Sequence, residues 1–145
     1  MARHVSARYG IPHLDLDTLA WLSPGVRKQV ADSAPEIKTF VDSHLAWVIE
    51  GCYTDLLELV LPDATEIHFL NPGTAACVSN CMARPWEPTK HESKEAQDSL
   101  LPFLIEWVEQ YATRTDEYSL AQHRQLFERF NGRKVEHSQL SDFAS

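Results

Sequence analysis

Glycine is scarce in this sequence. There are five in 145 residues, and none is followed by lysine and then serine or threonine. A phosphate loop of the form G-x-x-x-x-G-K-[ST], which holds phosphates with backbone N–H groups and a lysine, is therefore excluded within these residues. Cysteine is scarce too. Cys52, Cys77 and Cys81 make an odd set without framework spacing, which excludes a disulfide scaffold and favours a reduced, cytoplasmic protein. Basic charge is outnumbered, with 13 lysines and arginines against 21 acidic residues and a net charge of −8. A general nucleic-acid binder needs a basic face, so no nucleic-acid partner is expected, although a small nucleotide pocket stays open. No apolar run approaches membrane-spanning length, and "MARHVSARYG" lacks a signal-peptide core, so no membrane partner is expected. Repeats and low-complexity stretches are missing as well.

What is present reads as one α/β domain over residues 1–137, with a loose tail over 138–145. Apolar residues at 43% and charged residues at 23% are ordinary for a globular core. "MARHVSARYG" has the form of a helix stopped by Gly10. "IPHLDLD" is a short apolar strand, and "TLAWL" begins a helix capped by Asp17 or Thr18. "SPGVRKQVADSAPEIKTFVDSH" reads as two helical pieces broken near Pro35. "LAWVIEG" and "TEIHFLN" are strands, with the short helix "TDLLELVLPDA" between them. "TAACVSNCMA" is helical, and "RPWEPTKHESKEAQD" is a polar, proline-broken loop. A long helix is predicted over Lys94–Ala112, where Leu100, Leu101, Leu104, Trp107, Val108 and Tyr111 recur at helical spacing. Ser119 caps a last helix that stops at Asn131-Gly132, and "RKVEH" is a final strand. Strands alternating with helices predict a mostly parallel sheet flanked by helices in three layers.

Three motifs in order carry a family resemblance: "GIPHLDLDTLAW", "WVIEGCY" and "RPWEPTKH". With them, most of residues 1–137 resembles the P-loop small-molecule kinases, such as shikimate kinase and the adenylate-kinase-related topology-modulation proteins. The resemblance implies ATP and Mg²⁺ as cofactors, a hydroxyl or phosphate acceptor, and a lid over about residues 84–94. In that family a strand and a phosphate loop come first, and "MARHVSARYG" matches the helix that follows them. The strand without a counterpart lies mid-sheet, between those matching "WVIEG" and "EIHFL", so two edges lose a partner. The expectation is a truncated kinase-like chain. Direct pairing of the two edges, or a segment or second copy filling the gap, are the other arrangements.

The candidate residues follow from the same motifs. Asp15 and Asp17 are two apart on a strand, so both carboxylates face one side at its end. By resemblance Asp15 assists the metal, and Asp17 orients the acceptor or takes its proton. The alternative is a helix cap and a solvated carboxylate. Glu50, Gly51 and Tyr53 would line the acceptor, Gly51 by close backbone approach, or Gly51 is simply a turn. Arg84 would close over the transferred phosphoryl group, with Lys90 and His91 as the only other basic residues nearby. Arg124 and Arg133 are nucleotide-side candidates, though surface charges by preference. Cys77 and Cys81 make a poor zinc site, and His68 reads as a satisfied core or crevice histidine. The resulting function is a kinase-like protein expected to be inactive as this chain. The competing reading is a non-catalytic binding module, or a homo-oligomer joined through its sheet edges.

Overall fold

The computed structural model describes residues 1–88 and 90–139. Position 89 of the expected lid, and the expected tail from 140 on, lie outside them. Helix α1 (Ala2–Tyr9) ends as the sequence implies, on Gly10 in the left-handed region at φ 62°. Strand β1 (His13–Asp15) follows, and then the single helical turn α2 (Asp17–Ala20). The cap differs from expectation: Asp15 Oδ1 accepts the Asp17 N–H at 3.0 Å, and Thr18 Oγ1 donates to the Asp15 carbonyl at 2.7 Å.

The segment expected to start a helix at Ser23 instead forms an antiparallel hairpin, β2 (Trp21–Ser23) and β3 (Val26–Arg27). Pro24-Gly25 makes its turn, with Gly25 at φ 78°. Helix α3 (Val30–Asp42) then runs unbroken through Pro35, correcting the expected break. Proline removes one helical N–H bond, but Ser33 and Ile37 on either side are buried, at 0% and 1% exposure, and tertiary packing holds the helix.

Strand β4 (Val48–Glu50), the turn α4 (Thr54–Leu57), strand β5 (Glu66–Leu70) and helix α5 (Thr74–Ala83) lie where the pattern placed them. The long helix expected over 94–112 is split into α6 (Lys94–Ser99), α7 (Leu101–Glu109) and a 3-10 turn (Gln110–Ala112). Pro102, without an N–H, starts α7 and cannot continue α6. Ser119 caps α8 (Leu120–Arg129) by accepting the Gln122 N–H at 3.2 Å, and β6 (Arg133–His137) closes the order.

The strands form short parallel ladders flanked by helices. β1 pairs with β4 from His13↔Val48 to Asp15↔Glu50, and β5 pairs with β6 from Glu66↔Arg133 to Leu70↔His137. In place of the single sheet expected there are separate two-stranded sheets. Among the described residues, neither β4 nor β5 has a second strand partner.

The main core lies under the β1–β4 ladder. Leu16, Ala20, Ile37, Tyr53, Leu56 and Val60 are buried together, with Leu14, Ile49, Trp47 and Tyr118 against them. A second core forms on one face of β5, where Phe69 meets Phe127 of α8 at 5.6 Å between ring centroids. His123 joins the two. It hydrogen-bonds the Cys52 carbonyl just after β4 at 2.8 Å and packs beside Phe69 at 6.3 Å. Burial holds the His123 pKa below the ordinary histidine value, so the ring is neutral, with Nε2–H donating to Cys52 and Nδ1 accepting from Tyr111.

Candidate functional site

Parallel pairing brings the C-terminal ends of β1 and β4 side by side, the place where open α/β folds put their ligands. Asp15 and Glu50 are register partners there. Their side chains lie opposite those of Leu14 and Ile49, which pack against the core. Four predicted residues, Asp15, Asp17, Glu50 and Tyr53, gather at this end.

The acidic pair is closed by a lysine from the loop after α5. Lys90 Nζ lies 3.1 Å from Asp17 Oδ2, 3.7 Å from Asp15 Oδ2 and 3.9 Å from Glu87 Oε1. Partial burial pulls the Lys90 pKa down. The Asp17 hydrogen bond, with the charges of Asp17, Asp15 and Glu87, outweighs that and leaves it above the ordinary value. The loop is thus latched onto the acids by Lys90. Arg84, the expected phosphoryl clamp, instead pairs with Glu87 at 2.7 Å.

Behind the acids lies a polar chain that the sequence did not reveal. Trp21 Nε1–H donates to Tyr53 Oη at 2.9 Å, and Tyr53 O–H donates to Asp17 Oδ1 at 2.6 Å. Burial, then the Asp17 hydrogen bond and charge, raise the Tyr53 pKa far above the ordinary phenol range, so it stays a donor. Arg27 supports the chain from β3. Its guanidinium grips both Asp55 oxygens at 3.0 and 3.1 Å, donates to Tyr118 Oη at 3.0 Å, and stacks 4.7 Å above the Tyr53 ring. Neither Trp21 nor Arg27 carried a signal, because the hairpin that presents them was read as helix.

Glu50, although at this end, and the remaining candidates have partners other than the acidic pair. Glu50 binds His13 Nε2 at 2.7 Å. Gly51 is required for packing, since a Cβ there would lie 2.9 Å from Leu16 Cβ and 3.1 Å from Tyr53 Cδ2. Arg124 forms a two-pronged pair with Glu136, both contacts at 2.7 Å. Hydrogen bonds from Arg124 and Asn71 bring the Glu136 carboxyl down to about 2. Arg133 is an exposed side chain 3.4 Å from Glu66. Cys52 is no nucleophile, because burial and then the Asp17 charge push its thiol up to about 12.

These residues do not fit a magnesium–nucleotide donor. Asp15 has one oxygen on the Asp17 N–H and the other facing the Lys90 ammonium, which neutralises the pair where a cation would. Among the described residues no group of three or more His, Cys, Asp or Glu is placed to hold a metal ion. The positive-φ glycines, Gly10, Gly25 and Gly73, end a helix, turn a hairpin and start a helix, so none builds a phosphate cradle with a lysine. No family model, curated protein or solved structure matches the chain. No helix among the described residues is long and apolar enough to cross a membrane.

Proposed function

We propose that the chain is the acceptor side of a P-loop-kinase-like cleft, and that it does not transfer phosphate from ATP as these 145 residues. One observation carries the reading. Asp15 ends a parallel strand beside Glu50 of its neighbour, Asp17 opens the helical turn that follows, and a lysine from the loop after α5 folds over both carboxylates. That is where the kinase resemblance puts acceptor and lid. The two parallel ladders, β1–β4 and β5–β6, also support it, since a missing central strand would leave two such pairs. The chain does not itself build the continuous sheet of that family. Within this reading Asp17, oriented by the Tyr53 hydroxyl, receives an acceptor hydroxyl, and Lys90 yields its place when the acceptor enters.

Trp21 is a built-in reporter, because its indole N–H ends the chain that starts at Asp17. Titration of the ¹⁵N-labelled protein with hydroxy acids and nucleoside monophosphates is expected to shift the Trp21 Nε1–H resonance. The shift should vanish in Asp17→Asn, while Mg-ATP alone produces none. A panel that leaves the indole unmoved, or stoichiometric micromolar binding of Mg-ATP by calorimetry, refutes the proposal. The second reading, a non-catalytic module assembling through sheet edges, is favoured by the single-sided pairing of β4 and β5. A clean monomer in light scattering counts against it.

A further inference from the structure

The second ladder carries a site that the acceptor reading does not use. On β5, Phe69 turns toward α8, so Glu66, His68 and Leu70 occupy the opposite face, which stays open: Leu70 is 42% exposed. His137 of β6 is the register partner of Leu70 and shares that face. His68, read from the sequence as a satisfied core or crevice histidine, has partners on both ring nitrogens but is not in the core, since its side chain is 37% exposed.

His68 Nδ1 and His137 Nε2 meet at 2.8 Å. Their rings are inclined by only 16° with centroids 5.1 Å apart, which is the separation of two imidazoles placed nitrogen to nitrogen. On its far side, His68 Nε2 contacts Glu66 Oε1 at 2.9 Å. That contact puts the His68 proton on Nε2 and turns the Nδ1 lone pair toward His137. A carboxylate behind a histidine is the outer support that metal-ligating histidines use, fixing the tautomer and raising ligand basicity. Arg133 lies 3.4 Å from the same Glu66 oxygen.

We infer that His68 and His137 form a two-histidine site for a borderline divalent cation such as Zn²⁺, Ni²⁺ or Cu²⁺, with Glu66 as the outer partner. The cation takes the place of the proton now shared between the rings. That proton is released to solvent as the metal binds, and water completes the coordination. Metal–nitrogen bonds of about 2.0–2.1 Å in tetrahedral geometry put the two nitrogens roughly 3.3 Å apart, so the pair opens by about half an ångström. The site lies on an open face and ties β5 to β6. A two-stranded parallel ladder is marginal alone, so the cation would act as a clip on that half of the fold.

The test uses the full chain, with Ni²⁺ as a paramagnetic probe and Zn²⁺ in calorimetry. Ni²⁺ is expected to broaden first the amides near His68 and His137. Zn²⁺ is expected to bind one equivalent at micromolar affinity and to raise the melting temperature. His68→Ala and His137→Ala should each weaken binding at least tenfold, and Glu66→Gln roughly 10–100-fold. His4→Ala, on the exposed face of α1, should change nothing. Circular dichroism checks the fold of each variant, and His68→Gln replaces any that unfolds. Broadening centred on α1 or on the Cys77–Cys81 turn of α5, or undiminished affinity in the folded His68 variants, overturns the assignment.

Discussion

Leu16→Ala lowers the unfolding free energy by about 2–5 kcal/mol, the range for a fully buried leucine truncated to alanine. Leu16 is 0% exposed and sits at the centre of the main core. Its N–H bonds the Glu50 carbonyl at 2.9 Å, extending the β1–β4 ladder, and its side chain fills the space that Gly51 leaves. The lost methyl groups therefore open a cavity between the two strand ends, where a rigid ladder cannot collapse onto it. Urea unfolding should show a lower midpoint at an unchanged slope. A loss below about 1 kcal/mol is the size of an exposed-site effect and would mean that this core is not packed as described.

Arg27→Met has the second largest expected effect, about 1.5–3 kcal/mol, the range for losing hydrogen bonds to a charged group. Methionine keeps an apolar stem beside Tyr53 but leaves Asp55 without its two guanidinium contacts and Tyr118 Oη without the Arg27 donor, while the Ala20 carbonyl keeps the Lys28 N–H at 2.9 Å. The side chains of Arg27 and Asp55 are 18% and 30% exposed, so water recovers part of the loss. Arg27→Lys is expected to restore little, because a point charge cannot reach Asp55, Tyr118 and a carbonyl together. The same variants should move the Trp21 indole resonance, since Arg27 stacks on Tyr53 and Tyr53 holds Trp21. Full rescue by lysine, with the indole unmoved, would separate Arg27 from the site.

The sequence spoke most clearly where a local rule had no competitor. Gly10 stops α1, Ser119 caps α8, and the apolar runs "WVIEG" and "EIHFL" are extended, because each depends on a few adjacent residues. It misled where tertiary packing overrides local preference. Pro35 is carried inside α3 by the burial of Ser33 and Ile37. Leu100–Pro102 divides a stretch whose apolar periodicity alone implied one helix. The acidic pair is legible as Asp-x-Asp at a strand end, but the resemblance implies Mg²⁺ at Asp15 and Arg84 over the phosphoryl group, whereas Lys90 faces the acids and Arg84 pairs with Glu87. Trp21, Arg27 and the His68–His137 pair were invisible for a different reason. Their roles come from contacts across 32, 28 and 69 residues of chain, which no spacing rule encodes.

Among the described residues the two parallel ladders stand apart, and the outer edges of β4 and β5 have no strand partner. Amide hydrogen exchange along β5 reads this most directly. Arg133 N–H bonds the Thr65 carbonyl at 3.1 Å and Asn71 N–H bonds the His137 carbonyl at 2.8 Å, so Ile67 and Phe69 turn their N–H groups to β6, while Glu66, His68 and Leu70 turn theirs away. Slow exchange is expected at Ile67, Phe69 and Asn71, and fast exchange at Glu66, His68 and Leu70. Uniform protection along all of β5 would place another strand against that edge and contradict this arrangement.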